Sequence, residues 1–254
     1  MNLKTLANNA KLTAFWLPFL DFVFPPECMG CQEGLGDAPG LMWCENCLNQ
    51  LCSDPEKCCP ACGAEKTPPV FPDGRCRLCR DIKLKFERAI CVGNYHALMQ
   101  DLIVKLKANF DESLALQFGM LLGKRLRADA GFPACDLIVP TPTYWWNRLR
   151  RPSYLAAVIA EGVSRQLEIP VELDVLRCVR KTKKQGTLDT ISRFKNIQDA
   201  FAVKRPKHVV DKIVLVVDDV ITSGATANQL ATVLRKAGAA KVYVAAIARG
   251  VRQT

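Results

Sequence analysis

Two adjacent carboxylates followed by a turn rich in hydroxyls and glycine are the residues best suited to chemistry. The stretch VVDDVITSGAT leaves an aliphatic run at Val217, continues through Asp218 and Asp219, and ends at Thr226. A strand, a glycine turn and a helix N-terminus in this order predict unpaired backbone N–H groups that bind a phosphate, with Thr222, Ser223 and Thr226 as hydroxyl donors. The carboxylates would repel a phosphate but accept hydrogen bonds from sugar hydroxyls. Together they predict a site for a ribose 5-phosphate.

Other interpretations of this stretch are weaker. An acidic pair can bind a metal ion or simply lie exposed before an ordinary capped helix. A Walker-type phosphate loop is excluded, because no GxxxxGK[ST] string occurs and the turn has no lysine. The aliphatic run before the pair and the helix-like segment after it favour the sugar phosphate.

Cysteines form a second set of residues with chemical spacing. The chain has 13, and eight of them form four CxxC pairs. The pairs are Cys28 and Cys31, Cys44 and Cys47, Cys59 and Cys62, and Cys76 and Cys79. The first four positions map onto the second four with offsets of 31, 31, 32 and 32 residues, which indicates a tandem duplication. Each half has the spacing of a zinc ribbon with four thiolate ligands, so two structural zinc sites are predicted.

A disulfide scaffold is the alternative for the same cysteines. It requires an oxidising compartment, and no secretory signal is recognisable in the sequence, so zinc is favoured. Closed four-cysteine sites leave no position for water or substrate, which argues against catalysis in this region. Cys58 adjoins Cys59, and spacing favours Cys59 as the ligand.

Charge and hydropathy limit the remaining options. The net charge of +10 is uneven: residues 1–91 carry 10 Lys and Arg against 11 Asp and Glu, and residues 92–254 carry 25 against 14. Such an excess favours phosphates or nucleic acid as ligands, although a merely solvated basic face is the plain alternative. The apolar run at 14–24 is broken by Pro18 and Asp21 and is shorter than the about 20 residues of a membrane span. We expect a cytoplasmic protein with a lead-in helix over 1–26, with peripheral contact at the inner membrane face as the alternative.

The elements that must position these residues follow an α/β pattern from about Phe86 onward. Apolar runs predict strands, and apolar residues spaced by three and four predict helices. The predicted strands are Ala89–Tyr95, Asp136–Pro140, Ile213–Val217 and Val242–Ile247, and the predicted helices are Leu98–Leu106, Ser113–Leu126, Tyr154–Leu167 and Thr226–Ala237. This alternation predicts a mainly parallel sheet with helices on both faces and ligands beyond the carboxyl ends of its strands.

Over nearly its whole length the chain resembles the ComF family of competence-associated proteins. The resemblance rests on the cysteine array, on FPPEC at 24–28, LIVKLK at 102–107, DLIVPTP at 136–142 and RFKNIQDAF at 193–201, and on the acidic pair with its glycine turn. It implies a double zinc ribbon over 27–85 joined to a type I phosphoribosyltransferase fold over 86–254. One departure is RPSYL at 151–155, where family members commonly have a glycine-phenylalanine-asparagine-glutamine string.

Roles for individual residues follow from the same resemblance. It implies that Asp218 and Asp219 form the catalytic, ribose-binding pair. The implied phosphate-binding residues are Thr222, Ser223, Gly224, Ala225 and Thr226, and the implied pyrophosphate side consists of Lys107, Thr141 and Pro142. Magnesium would accompany phosphoribosyl diphosphate, and the family handles single-stranded DNA during natural transformation.

Three functions remain open at this stage. One is a DNA-handling protein that retains the nucleotide pocket. Its predicted DNA contacts are Arg148, Arg150 and Arg151 beside Tyr144, Trp145 and Trp146, together with Lys183, Lys184 and Arg193. Its partners would be DNA-uptake proteins such as a helicase or a recombination mediator. The others are an active phosphoribosyltransferase of nucleotide salvage or biosynthesis with an unknown acceptor, and a zinc-ribbon adaptor for partner proteins.

Overall fold

The aliphatic runs form the four strands of one parallel sheet. A computed structural model describes residues 25–35, 41–66, 71, 74–80, 82–144, 154–180 and 196–250. The strands are β1 (Ala89–Asn94), β2 (Leu137–Pro140), β5 (Ile213–Ile221) and β6 (Lys241–Arg249), in the order β1-β6-β5-β2. A two-stranded antiparallel sheet, which the sequence did not predict, pairs β3 (Leu176–Cys178) with β4 (Phe201–Val203).

Helices cover both faces of the parallel sheet, as predicted. The helices are α1 (Glu45–Leu51), α2 (Ala97–Asn109), α3 (Glu112–Arg127), α4 (Leu155–Leu167) and α5 (Ala225–Lys236). Short 3-10 turns occupy Pro55–Lys57 and Pro206–His208. Within these ranges, no helix is both long and apolar enough to cross a lipid bilayer.

The two faces of the sheet are packed differently. On one face, Leu230 and Leu234 of α5 pack against Val214, Val216 and Val244 of the central strands. Helices α3 and α4 contact the sheet and each other, and their backbones come together at Gly119. A Cβ atom there would lie 2.2 Å from the carbonyl oxygen of Ile159, so only glycine permits this approach.

Both edges of the sheet are covered by backbone hydrogen bonds. At β1, the amide of Ser53 donates to the oxygen of Val92 (2.9 Å) and the amide of Ala89 donates to the oxygen of Ala61 (3.0 Å). At β2, the amide of Ile138 donates to the oxygen of Pro170 (2.9 Å). The cysteine-rich segment, residues 51–66, therefore closes one edge that would otherwise expose unpaired backbone groups.

The chain divides into two compact units, Met1–Leu48 and Asn49–Thr254. Cys28, Cys31, Cys44 and Cys47 belong to the first unit, and the other four CxxC cysteines belong to the second unit together with the sheet. The boundaries 1–26, 27–85 and 86–254 stay predictions, and residues 1–24 of the lead-in lie outside the described residues.

Candidate functional site

Strand β5 carries the acidic pair to the carboxyl edge of the sheet. The strand is longer than predicted and runs past Asp218 and Asp219 to Ile221. Its neighbour β2 ends at Pro140, opposite Val217, so Thr141 lies next to Asp218. The amide of Thr141 donates to the oxygen of Val217 (2.8 Å), which fixes this turn against the acidic pair.

Helix α2 brings a lysine to the acidic pair. The ammonium nitrogen of Lys107, in the last turn of α2, lies 3.0 Å from Oδ2 of Asp219. Both side chains are partly exposed, so their ion pair contributes little stability and is free to exchange for a ligand. The structure thus brings Lys107, Thr141 and the acidic pair together from three separate elements.

The two carboxylates differ in their surroundings. Burial raises the pKa of Asp218 to about 7, and the nearby charge of Asp219 adds to the rise, whereas the Asp219 amide and the Lys107 ammonium oppose it. The Asp219 amide donates to Oδ1 of Asp218 at 2.9 Å. The buried Thr141 hydroxyl lies beside the Asp218 carboxylate and also opposes the rise of its pKa.

Gly224 forms the turn between β5 and α5. Its φ of 76° lies in the left-handed region, which favours glycine, and a Cβ atom at this position would meet nothing within 4 Å. The glycine is therefore required by backbone conformation, and the space beside it is open. The amide of Asn228 donates to the oxygen of Gly224 (2.8 Å), which begins the hydrogen bonding of α5.

Two amides of this turn have no hydrogen-bond partner among the described residues. In the described part of the chain, the backbone N–H groups of Ser223 and Gly224 donate no hydrogen bond, and the amide of Ala225 donates to Oγ of Ser223 (3.3 Å). Such orphan donors at the positive end of a helix bind anions. A shallow pocket joins Asp218 to Thr222 and to residues 224–227, so the acceptors and donors face one space.

Tyr154 is a site residue that sequence reasoning missed. Its hydroxyl donates to the oxygen of Thr141 at 2.7 Å and lies 3.4 Å from the oxygen of Pro140. It therefore ties the start of α4 to the turn after β2. Its sequence signal was weak, because Tyr154 lies in RPSYL at 151–155, where the sequence departs from the resemblance.

Some predicted site residues cannot be placed. Arg148, Arg150, Arg151, Lys183, Lys184 and Arg193 lie outside the described residues. A larger open cleft is lined by residues of α3 and α4, including Leu116, Val158 and Arg165, and by Leu173. That cleft contains none of the predicted site residues.

The eight predicted cysteine ligands form two groups of four. In each group the sulfur atoms all lie within 4.8 Å of one another. Individual separations are 3.7 Å for Cys31 and Cys44, 3.7 Å for Cys59 and Cys79, and 3.5 Å for Cys62 and Cys76. Four sulfurs bound to one tetrahedral zinc at about 2.3 Å are about 3.8 Å apart, so both groups fit zinc and neither has the geometry of a disulfide.

Backbone donors prepare the first group for a metal. Burial favours the neutral thiol of Cys28, but amide donors from Cys44, Cys31 and Gly30 outweigh it and lower the pKa to about 6. The sulfur of Cys28 accepts from the amide of Cys44 at 3.2 Å and from that of Gly30 at 3.4 Å. In the second group the sulfur of Cys59 lies among the four clustered sulfurs, whereas the thiol of Cys58 donates to the oxygen of Asp54.

Known proteins resemble this chain in sequence over most of its length. A family model described as a phosphoribosyl transferase domain matches residues 152–254. Competence protein F of Haemophilus influenzae is 27% identical over 228 residues, which cover 88% of this chain and 96% of that protein. DNA utilization protein YhgH of Escherichia coli K12 is 27% identical over 227 residues, which cover 83% and 97%. These relatives confirm the resemblance that the sequence motifs predicted.

Solved structures give a weaker likeness. A glutamine phosphoribosylpyrophosphate amidotransferase from B. subtilis matches with a TM-score of 0.37 and 23% identity over 53% of this chain, which spans 26% of that enzyme. A purine phosphoribosyltransferase of Pyrococcus horikoshii matches with a TM-score of 0.34 and 21% identity, covering 53% and 73%. The assignment of a phosphoribosyltransferase-like fold therefore rests on the parallel sheet and on the family model.

Proposed function

We propose that this chain is a ComF-type protein and that it binds a ribose 5-phosphate ligand, such as phosphoribosyl diphosphate, between the end of β5 and the start of α5. The observation that carries the proposal is the pocket shared by Asp218, Thr222 and residues 224–227, at the turn where the amides of Ser223 and Gly224 have no partner in the described chain. A phosphate requires the donors and a ribose diol requires the acceptors.

Each side of the pocket has a role in this proposal. Thr222, Ser223, Gly224, Ala225 and Thr226 hold the 5-phosphate through amides and hydroxyls. Asp218 and Asp219 accept hydrogen bonds from the ribose hydroxyls. On binding, Lys107 exchanges its contact with Asp219 for the diphosphate, beside the turn of Thr141 and Pro142.

Titration calorimetry tests the proposal with ribose 5-phosphate and with phosphoribosyl diphosphate in magnesium buffer. We expect both ligands to bind and Asp218→Asn to weaken binding about tenfold or more, because a charge-assisted acceptor is lost. Asp101→Asn, an exposed position on α2, is the matched control and should leave the affinity unchanged. Equal affinity of Asp218→Asn and the wild type would overturn the assignment of the ribose to this carboxylate.

Transfer chemistry is a second candidate, and the pairing of Lys107 with the acidic pair favours it. A cation beside the ribose carboxylates is placed to bind a departing pyrophosphate. Magnesium carried by the diphosphate would neutralise part of its charge. The residues of this chain would then orient the ribose and hold the leaving group, with none of them acting as a nucleophile. Release of pyrophosphate on addition of a base would support transfer chemistry if Lys107→Ala abolishes the release and Lys105→Ala retains it. If no base causes release, transfer chemistry is rejected.

We further propose that the protein acts on single-stranded DNA in DNA uptake. The names of its relatives, a competence protein and a DNA utilization protein, support this role, as does the basic excess of residues 92–254. Exposed cations on the small sheet and the turn after it add support: Arg177, Lys204, Arg205 and Lys207. Oligonucleotide binding should weaken steeply as salt rises, because phosphate contacts release counterions. A flat salt response would contradict the DNA role while leaving the ribose phosphate site in place.

A further inference from the structure

Arg249 is a buried cation held entirely by backbone carbonyls. It is the last residue of β6, is 4% exposed, and is the most deeply buried charged side chain among those the structure describes. Its Nε donates to the oxygen of Cys62 at 3.1 Å. Its Nη1 donates to the oxygens of Ile221 and Gly250, both at 2.9 Å, and to that of Thr222.

The sheet register explains how one side chain reaches these partners. Arg249 lies opposite Asn94 of β1 and Ile221 of β5, at the carboxyl edge of the sheet. The cysteine-rich segment covers β1 on one side of Arg249, and the phosphate-binding turn leaves β5 on the other. The guanidinium therefore joins Cys62, a member of the second cysteine group, to Thr222, the first residue of the turn.

This contact determines where the amides of the turn point. A trans peptide is planar, so its carbonyl oxygen and its N–H group point in opposite directions. When Arg249 holds the oxygen of Thr222, the N–H of Ser223 must point away from Arg249. That N–H is one of the donors without a partner in the described chain. The cation thus orients a donor that it does not touch.

We propose that Arg249 is a positioning residue for the phosphate-binding turn and that it couples the turn to the second cysteine group: Cys59, Cys62, Cys76 and Cys79. The ligand part of this inference rests on the proposed function. A metal held by the four thiolates fixes the backbone of Cys62, and Arg249 passes that restraint to Thr222. Without the metal, the oxygen of Cys62 moves and the turn loses its orientation.

The variant Arg249→Lys tests the positioning role because it retains the charge and loses the branched donor. A single ammonium group cannot span the oxygens of Cys62 and Thr222 as a guanidinium does. We expect affinity for ribose 5-phosphate to fall about tenfold or more in calorimetry, with the sheet still folded by circular dichroism. Arg127→Lys, on the exposed face of α3, is the matched control and should bind as the wild type does. Wild-type affinity of folded Arg249→Lys would overturn the proposal.

Hydrogen exchange tests the coupling between the second cysteine group and the phosphate-binding turn without any ligand. The amide of Gly250 donates to the oxygen of Ile221, which Arg249 also holds. We expect this amide to exchange at least about tenfold faster in Arg249→Lys and in Cys76→Ser, while the amides of Val216 and Val244 in the central strands stay protected. Cys44→Ser, in the other cysteine group, should leave the exchange of Gly250 unchanged.

The outcomes separate this inference from the proposed function. If the wild type fails to bind ribose 5-phosphate but Gly250 is deprotected as expected, the ligand assignment fails and the coupling stands. If the wild type binds and Gly250 stays protected in both variants, the coupling is wrong and the ribose phosphate site stands. Deprotection of Gly250 by Cys44→Ser to the same extent would also overturn the coupling, because its specificity for the second group would be lost.

Discussion

The two cysteine groups share a spacing but not an environment. In the first group, Cys31 is exposed and Cys44 is half-buried. In the second, all four cysteines are buried and pack with apolar neighbours, among them Ala64 and Leu84. The second group also belongs to the compact unit of the sheet, where its segment covers β1 and the carbonyl oxygen of Cys62 accepts a hydrogen bond from Arg249. The two duplicated cysteine motifs therefore differ in burial and in their contacts with neighbouring residues.

The largest expected effect comes from breaking one group at a time. Cys76→Ser should lower the melting temperature of the main unfolding transition by roughly 10 °C or more, because metal binding supplies much of the folding free energy of such modules. Cys44→Ser should change that transition by a few degrees at most. Calorimetric melting, together with metal analysis of each variant, provides the measurement.

If the melting temperature falls equally in both variants, the two cysteine groups do not differ in their contribution to the stability of the main unit. Each variant should retain one zinc per chain, since the groups are separate. A wild-type protein with fewer than two zincs per chain would refute the assignment of two zinc sites.

Two glycine-to-alanine variants test whether the cysteine-rich segment covers the edge of the sheet, with a smaller expected loss of stability. A Cβ atom on Gly93 would lie 1.9 Å from the oxygen of Leu51, so Gly93→Ala must displace the cysteine-rich segment from β1. We expect a loss of about 1–3 kcal/mol in the free energy of unfolding, which denaturant titration measures. Gly34→Ala, in the first unit, meets nothing within 4 Å and should change stability by about 0.5 kcal/mol or less. A neutral Gly93→Ala would show that the segment is not held against the strand.

Asp218 in the larger unit should make stability depend on pH between about 4 and 7. The pKa of Asp218 is raised from 3.8 to about 7, so the native state retains a proton that the unfolded state has released between these values. The free energy of unfolding should therefore fall as pH rises from about 4 to about 7, and Asp218→Asn should remove this component. Denaturant titrations at several pH values measure it, and Cys44→Ser should keep the wild-type profile.

Ligand affinity should change with pH in the opposite direction to the free energy of unfolding. The ribose hydroxyls need an ionised acceptor, so affinity for ribose 5-phosphate should rise as pH increases through about 7. Asp219→Asn should shift this rise to lower pH, because the nearby charge that raises the pKa of Asp218 is removed. An affinity independent of pH from about 6 to 8 would argue against Asp218 as the acceptor.

Local patterns in the sequence were sufficient for the strands of the parallel sheet, for the helices α2 to α5 and for the two cysteine groups. Aliphatic runs predicted the strands, because a strand covered on both faces must be aliphatic throughout. Apolar residues spaced by three and four predicted the helices that cover the sheet. The CxxC spacing selected Cys59 over Cys58, because the turn geometry of a thiolate site depends on neighbouring residues alone. The acidic pair and the glycine turn were also recognisable, because their residues are adjacent in the sequence.

Features that depend on strand register could not be predicted. Arg249 looks like an ordinary basic residue at the end of a strand, and its partners Cys62 and Thr222 are 187 and 27 residues away along the chain. Tyr154 reaches the turn after β2 only because α4 begins beside it. The pairing of β3 with β4 was missed because both strands have three residues, too few for a periodic pattern.

Backbone amide resonances during titration with ribose 5-phosphate test the central claim most directly. The account predicts the largest shifts at Ser223 and Gly224, whose N–H groups would gain a phosphate partner, and smaller shifts at Asp218. Resonances of Cys28 and Cys47 in the first cysteine group should not move. Unshifted resonances of Ser223 and Gly224 at saturating ligand, or shifts confined to the cleft of Leu116 and Val158, would contradict it.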